Sequence, residues 1–578
     1  MPDDALTVFR AMRQPLNKDE IGFFDNGQFK VMKVDPDVAE AFNGTPPEQH
    51  GLLFKMLAAP AKLFRAGLVV PEFIVRHLVR NQMSASALAE HGNIPFWDTF
   101  KGLVSVLKKD DDYQNWLKSG GAMISAVAMD RDNVQAKVRE IAGQDPDANF
   151  LDKAWNIAKT PMDVLHAVQS TLENGTRVGA FKRALGDASD KESILDAGYS
   201  SRNVAPDPAR IGEMTRNWNA ITALFNVEIQ HTDQLVTALR DRPLGTMAKI
   251  LAGVTLPSAL LWMNNHDKDE WREAHQWERD AFWLVPMNGV TLRIPKPFLL
   301  GTLFGSSVER LLDGIYGNDG GRGAKEFARN VLEQGIPHVI PNAITPALEQ
   351  LTNYSFFRGG PLIPDRVQKL LPEYRYTEYT SELTKALGHI VGTVPYVKDT
   401  SMASPLVVEN YVRQWTGGAG VYALQLADAG LRKAGVLPDP VKPTDTLADI
   451  PLIKAFVVRY PSATADSIQH FHDQYAQRKM VYDTFTTLAQ RGDEQAALEV
   501  MKANPTAMMK LDGIEKTISQ QNNLVRMIYK NPDIPGDQKR QLIDATYFQM
   551  IQISHMGNEL IKQIDMAAPN LAGPSPAH

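Results

Sequence analysis

"PEFIVRHLVRNQ", residues 71–82, carries the spacing that decides the fold class. Ile74, Val75, Leu78 and Val79 recur at helical intervals on one face, with Arg76 and Arg80 on the other. Glu72, Arg76 and Arg80 are four apart, so they can support one another along a solvated side. Working outward, the same period returns in "PFWDTFKGLVSVLKK" (95–109), "DNVQAKVREIAG" (132–143), "PMDVLHAVQSTLENGTRVGAFKRAL" (161–185) and "RNWNAITALFNVEIQHTDQLVTALR" (216–240). Gly, Pro and Asp breakers separate these stretches. The expectation is a mainly α protein, a multi-helical bundle with small β-hairpins and proline-rich ordered coil.

Two hairpins interrupt the helical text. "IGFFDNGQFKVMKV" (21–34) sets Asn26-Gly27 between short strands, and "FWLVPMNGVTLRIPKPFLLGTLFG" (282–305) does the same with Asn288-Gly289. In the second, Pro295 and Pro297 and then Gly301 and Gly305 follow the hairpin. Asn288, Gly289, Pro295 and Pro297 therefore form a candidate structural strap, rigid and non-helical, between helical blocks. From about 335 to 380 prolines and aromatics are dense, which predicts extended, ordered coil laid on the helices. "SPLVVENYVRQWTGGAG" (404–420) starts a helix with Ser404 as N-cap and Pro405 at the first helical position, and Gly417, Gly418 and Gly420 are expected to stop it. Pro438, Pro440, Pro443 and Pro451 mark a boundary, and residues 460–566 read as long amphipathic helices in a hairpin or three-helix unit. The expected organisation is a β-hairpin element over 1–50, a helical domain over 51–240 and a helical core with strap and wrap over 241–437. A C-terminal helical bundle over 438–566 and a disordered tail over 567–578 complete it.

The composition excludes several classes. The 578 residues are 44% hydrophobic and 22% charged, enough for two to four packing units. A formal charge of −6 gives no global attraction for nucleic acid or anionic lipid, and leaves contact through a local basic face open. The chain has no cysteine, which removes disulfides, thiol catalysis and thiolate metal sites. "MPDDALTVFR" at the start is acidic where a secretory signal is basic and apolar, so no cleavable signal is expected. "LGTMAKILAGVTLPSALLW", Leu244 to Trp262, approaches the roughly 20 apolar residues that cross a bilayer. Lys249 inside it and Pro257, which would interrupt or restart a helix, favour a buried core pair over an inserting segment. Leu244, Lys249, Pro257 and Trp262 are the residues of this candidate membrane segment.

The chemical motifs dissolve under their structural alternatives. Gly418 to Ala423 matches the dinucleotide fingerprint in letters but follows a helix rather than a strand, and the loop "GNDGGRG" (317–323) lacks the Gly-Lys-Ser/Thr of a phosphate cradle. Ser105 and Lys108 have the Ser-x-x-Lys spacing without Ser-Asp-Asn or Lys-Thr-Gly to complete a site. Glu192-Ser193 has no companion that would make it a glycan-cutting acid. His470, His472 and Asp473 cannot close a metal shell from one helix, because alternate residues point to different faces. Tryptophans 262, 271, 277 and 283 fill a core more readily than a membrane belt. The expectation is no catalytic residue, no cofactor and no metal.

A resemblance emerges from stretches of little catalytic meaning, in this order: "PEFIVRHLVRNQ", "LKSGGAM", "VTLPSALLWMNN", "RIPKPFLLGTLFGSSVERLLD", "NYSFFRGGPLIP", "YTSELTKALG", "SPLVVENYVRQWTGGAG" and "PLIKAFVVRYPS". Over about residues 20–480 the chain resembles the large polyvalent protein-associated domain family of bacteriophages and prophages. The resemblance implies a non-enzymatic internal virion protein that acts in ejecting DNA or proteins into the host. It implies other virion or ejection proteins as partners; a homo-oligomer is expected if the chain lines a conduit, and contact with a host membrane if Leu244 to Trp262 inserts. The place would be the virion interior, with delivery to the host envelope or cytoplasm. Two further readings are a membrane-inserting module of the ejection machinery and a processed segment of a longer polyvalent protein whose enzyme lies elsewhere.

Overall fold

The structure, a computed structural model, describes residues 10–11, 19–25, 28–35, 51–121, 161–206, 213–287, 289–316, 339–356, 360–368, 370–377, 380–395, 400–436, 441–450, 452–504, 506 and 511–567. The expected helix at 132–143, the loop at 317–323, Asn26-Gly27, Asn288, Pro438, Pro440, Pro451 and the tail from 568 lie outside the described residues. The fold is mainly α. It divides into two compact units, each built from separate stretches of chain. One takes 1–262, 295–351 and 409–423, the other 263–294, 352–408 and 424–578.

In the first unit the helices are α1 (Leu52–Gly67), α2 (Pro71–Leu88), α3 (Trp97–Lys108), α4 (Asp111–Lys118), α5 (Pro161–Leu185), α6 (Lys191–Arg202), α7 (Glu213–Ile221) and α8 (Phe225–Asp241). The N-terminal hairpin pairs β2 (Glu20–Asp25) with β3 (Gln28–Lys33), and β1 (Arg10–Ala11) adds to the far side of β3. α5 is the axis of this unit. Val178 and Phe181 on it are fully buried together with Trp116 of α4, and Trp116 also donates to Ser201 of α6 at 3.2 Å. α3 lies close against α5, where Gly102 faces Gly175 and Gly179.

The entry to α3 is fixed by a buried polar network. Asp98 accepts from the backbone of Ile94 at 2.7 Å and from Arg183 at 2.5 and 2.9 Å. Gln82 accepts from the Phe96 backbone at 3.1 Å and from Thr99 at 2.9 Å while donating to Thr176 at 3.1 Å. Together these bonds hold Phe96 in the left-handed region, φ 62°. Burial of Asp98 opposes its charge, and the Arg183 fork and the Ile94 amide outweigh that, so its carboxyl stays below the ordinary range.

The polar side of α2 is the first departure from the sequence reading. Glu72, expected to be solvated, is buried and bonded to the Tyr422 hydroxyl, and the Arg80 guanidinium lies over the Phe298 ring. α2 packs against α5, α8 and two later helical stretches, and none of its residues is fully exposed. Charge spacing read as a solvent ladder is here a set of internal partners.

α9 runs Pro243–Asn265, and here the structure differs again. Instead of a break at Pro257 and a buried pair, one helical run continues through a π turn at Leu251–Thr255. The wider turn sits just before the proline and removes the demand for its missing amide. The run is largely exposed: 22% of its apolar window is buried. A second helical stretch, 298–316, has its own π turn at Thr302–Ser306, and Thr255 donates to the Phe304 carbonyl at 2.8 Å between the two.

The second unit holds the hairpin over 282–294, α10 (Glu382–Val391), and the bundle of α12 (Asp466–Gln490), α13 (Glu494–Ala503), α14 (Asp512–Lys530) and α15 (Gly536–Ala567). Ahead of these last four comes α11 (Pro405–Lys433), whose residues 409–423 belong to the first unit. The bundle core joins Phe471, Ile518, Val525, Tyr547, Met550 and Ile561. Lys539, fully buried, donates to the carbonyls of Tyr529 and Val441 at 2.8 Å each, fastening residues 441–444 over the turn between α14 and α15. α11 opens as expected with Ser404 at the cap and Pro405 first. The glycines do not stop it. Only Gly417 leaves helical geometry, φ 58° and ψ −149°, and the helix resumes to Lys433. That kink lets the chain pass the 67–70 turn, where Gly67 meets the Thr416 carbonyl and Gly418 meets Val70.

Candidate functional site

The strap residues fall at a hairpin. β4 (Phe282–Met287) and β5 (Val290–Pro295) join through Gly289, φ 73°, and β5 pairs antiparallel with a third strand, β6 (Val457–Arg459), in the register Val290↔Arg459 to Leu292↔Val457. Arg293 locks the sheet: its guanidinium donates to Glu278 at 2.8 Å and to the Lys454 carbonyl at 3.0 Å. Pro295 and Pro297 flank Lys296, and Pro297 caps the helical stretch that begins at Phe298. Of the membrane-segment residues, Leu244 and Lys249 are exposed, Pro257 is half-buried and Trp262 is buried, donating to Asp313 at 2.7 Å. Trp271 and Trp283 are also buried and Trp277 half-buried, which is core packing.

Three polar constellations were not visible in the sequence. The first is Glu273 in the second unit. Its side chain accepts from the Ser467 amide at 3.0 Å, from the Ser467 hydroxyl at 2.7 Å and from His555 at 2.6 Å. The hydrogen bond that His555 donates to Glu273 raises the His555 pKa. A cavity of about 30 Å³ adjoins it, lined by Glu270, Glu273, Glu278, Arg459 and Tyr460. That volume holds about one water, not a substrate.

The second is a groove of about 560 Å³ along α12, lined among others by His472, Tyr475, Lys479, Asp483, Thr487 and Glu515. Its groups are engaged locally. Lys479 pairs with Asp483 at 2.8 Å, Tyr475 donates to Asp512 at 2.6 Å, and Thr487 donates to the Asp483 carbonyl at 2.8 Å. Such an arrangement is a helix face stabilised in place rather than a nucleophile set against a base. His472 is buried beside Phe471 on this helix, and no group of three or more His, Asp or Glu that could hold a metal occurs among the described residues. Ser105 is bonded to Asp110 at 2.7 Å and Lys182 at 2.8 Å rather than to Lys108.

The third lies in the first unit around Phe298. His231 stacks on its ring at 4.6 Å between centroids, His77 meets it edge-on at 5.7 Å, and Arg80 sits 5.4 Å over it. Glu173 stands 3.8 Å from His77 and 3.9 Å from Arg177. Burial, with His77 adding to it, pushes His231 down to about 4, burial also lowers His77, and burial takes Arg80 to about 10.

A pH dependence follows with a definite sign. Below about pH 6.5 the unfolded chain binds a proton at His231 that the folded chain refuses until about pH 4. Stability is thus complete above the unfolded pKa and falls as the pH drops through that window, by about 3 kcal/mol for this one group. Calorimetric unfolding between about pH 7 and pH 5 should show the first unit's transition moving down, and His231→Leu should flatten the slope. An unchanged slope in that variant would remove His231 as the cause.

Comparison with known proteins gives one family match. Residues 268–453 match the family described as Large polyvalent protein associated domain 38. No curated protein matches the chain, and no solved structure does. The matched stretch contributes residues to both compact units. Residues 268–453, about a third of the chain, are thus similar to the large polyvalent protein associated domain family.

Proposed function

We propose that this chain is a non-enzymatic bacteriophage structural protein, an internal virion protein that acts in ejecting DNA or proteins into the host cell. It works by assembly, with other virion or ejection proteins and with copies of itself, and travels from the virion interior to the host envelope or cytoplasm. The observation that carries this reading is the associated-domain match itself. Support comes from the distribution of that stretch through both units, which makes it part of the framework rather than an appended module. The long helices of the C-terminal bundle supply partner surfaces: Met480, Met527, Met556 and Met566 are all exposed there, and methionine adapts to irregular partners.

Mass spectrometry of purified virions, before and after triggered ejection, tests the proposal. The expected result is peptides of this chain in filled particles and their depletion from emptied ones. Absence from filled particles would overturn it. Peptides covalently continuous with an enzymatic domain would instead show a segment of a longer polyvalent protein.

A further inference from the structure

The outward face of α9 is an unusual surface for a protein of this composition. Leu244 is 87% exposed, Leu251 48%, Leu256 53%, Leu260 55% and Met263 65%, with Ala248, Ala252 and Gly253 exposed between them. The opposite face is committed to the protein. Thr246, Ile250, Val254, Ser258, Trp262 and Asn265 are buried along it. Thr246 donates to the Ala238 carbonyl at 3.0 Å, Thr255 beside this face to Phe304, Trp262 to Asp313, and Asn265 to the Leu284 carbonyl at 3.0 Å.

Charge says what covers the outward face. Residues 242–266 contain no Asp or Glu, although an even spread of the chain's 67 acidic residues over 578 positions would put about three there. Arg242 is occupied at the carbonyls of Leu88 and Ala89, both at 2.9 Å, so the charge that the exposed face presents is Lys249. A protein of net charge −6 thus keeps one long apolar face free of carboxylates and marks it with a cation. That complements an anionic lipid surface, whose headgroups attract lysine and repel carboxylate.

The committed inner face decides the mode. Spanning would strip Thr246, Trp262 and Asn265 of their partners inside a medium that offers none. Lying in the membrane plane costs none of these bonds. We infer that α9 is a monotopic lipid-docking element, whose Leu244–Met263 face enters the boundary between headgroups and acyl chains of an anionic bilayer while its inner face stays on the protein. This inference does not depend on the chain being packaged in virions.

The absence of cysteine makes the test clean. Single variants Leu251→Cys, Leu256→Cys and Leu260→Cys on the outward face would each carry a polarity-sensitive fluorophore in the full-length chain. With vesicles containing phosphatidylglycerol, the three labels should report an apolar environment. Vesicles of phosphatidylcholine alone should bind more weakly, by about fivefold for the single lysine, and Leu251→Asp with Leu256→Asp should lower flotation on anionic vesicles by at least a similar factor. Those two positions are exposed, so the circular dichroism and melting of the Asp variant serve as a fold control. No flotation of the parent chain overturns the inference. So does flotation indifferent to the Asp pair, or outward labels whose environment does not change on flotation. A dimer in light scattering that the Asp pair dissolves, without vesicle binding, would assign the face to a second copy and overturn it equally.

Discussion

Gly179→Ala should unfold the first unit's helical core at markedly lower denaturant, a loss of about 4 kcal/mol or more. A methyl group at Gly179 would overlap the Asp98 carbonyl, and one at Gly102 would overlap the Gly175 carbonyl and approach the Gly179 amide. The neighbours are backbone, so no side chain can rotate out of the way, and α3 must separate from α5. Separation would also pull at the Asp98–Arg183 fork and the Thr99–Thr176 contact, since both pairs join α3 to α5. Gly245→Ala is the contrast: it sits exposed in α9 with nothing near its added methyl, and should be neutral or stabilising by up to about 1 kcal/mol. Urea unfolding followed at a wavelength reporting buried Trp116 would compare the two. Equal stability of Gly179→Ala and the parent would mean that the close approach is not needed.

These glycines also show what the sequence could and could not carry. The helical period of 161–185 is legible because core-facing residues recur every three or four positions, and that stretch is α5. Gly175 and Gly179 read as mild blemishes in it, because their purpose depends on Gly102, which is remote in sequence. The same limit explains α2. Glu72, Arg76 and Arg80 have the spacing of a solvated ladder, and only the packing of other helices on that side turns them inward. Hairpin turns at 21–34 and 282–295 are local, so their strands were readable, whereas the third strand Val457–Arg459 pairs with β5 across more than a hundred residues and left no local trace. Pro257 gave the right constraint and the wrong outcome, since a π turn is a second way to lose an amide. The apolar character of 244–262 was plain from the letters, but its division into an inner and an outer face required the positions of Asp313 and Phe304. Likewise Glu273 is an unremarkable acid in "EWREAHQ" until Ser467 and His555 are brought to it.

Lys296→Met should cost the first unit about 3–5 kcal/mol, the range for removing one member of a buried ion pair. Lys296 and Glu309 are both buried, with both carboxylate oxygens 2.8 Å from the ammonium, and Ser306 adds a contact at 3.1 Å. Methionine matches the stem of lysine in length, so packing changes little and the loss reports the stranded charge of Glu309. Pro295 and Pro297 hold Lys296 between two fixed φ angles, and a methyl at Gly301 would come within 2.6 Å of the Lys296 Cβ, so the side chain has little freedom to find another partner. The double variant Lys296→Met with Glu309→Leu separates the terms. Once both charges are gone the desolvation penalty goes with them, and stability should return to within about 1–2 kcal/mol of the parent. Full loss in the double variant would instead place the contribution in shape, and the pair's electrostatics would no longer explain why a lysine stands between two prolines in the strap.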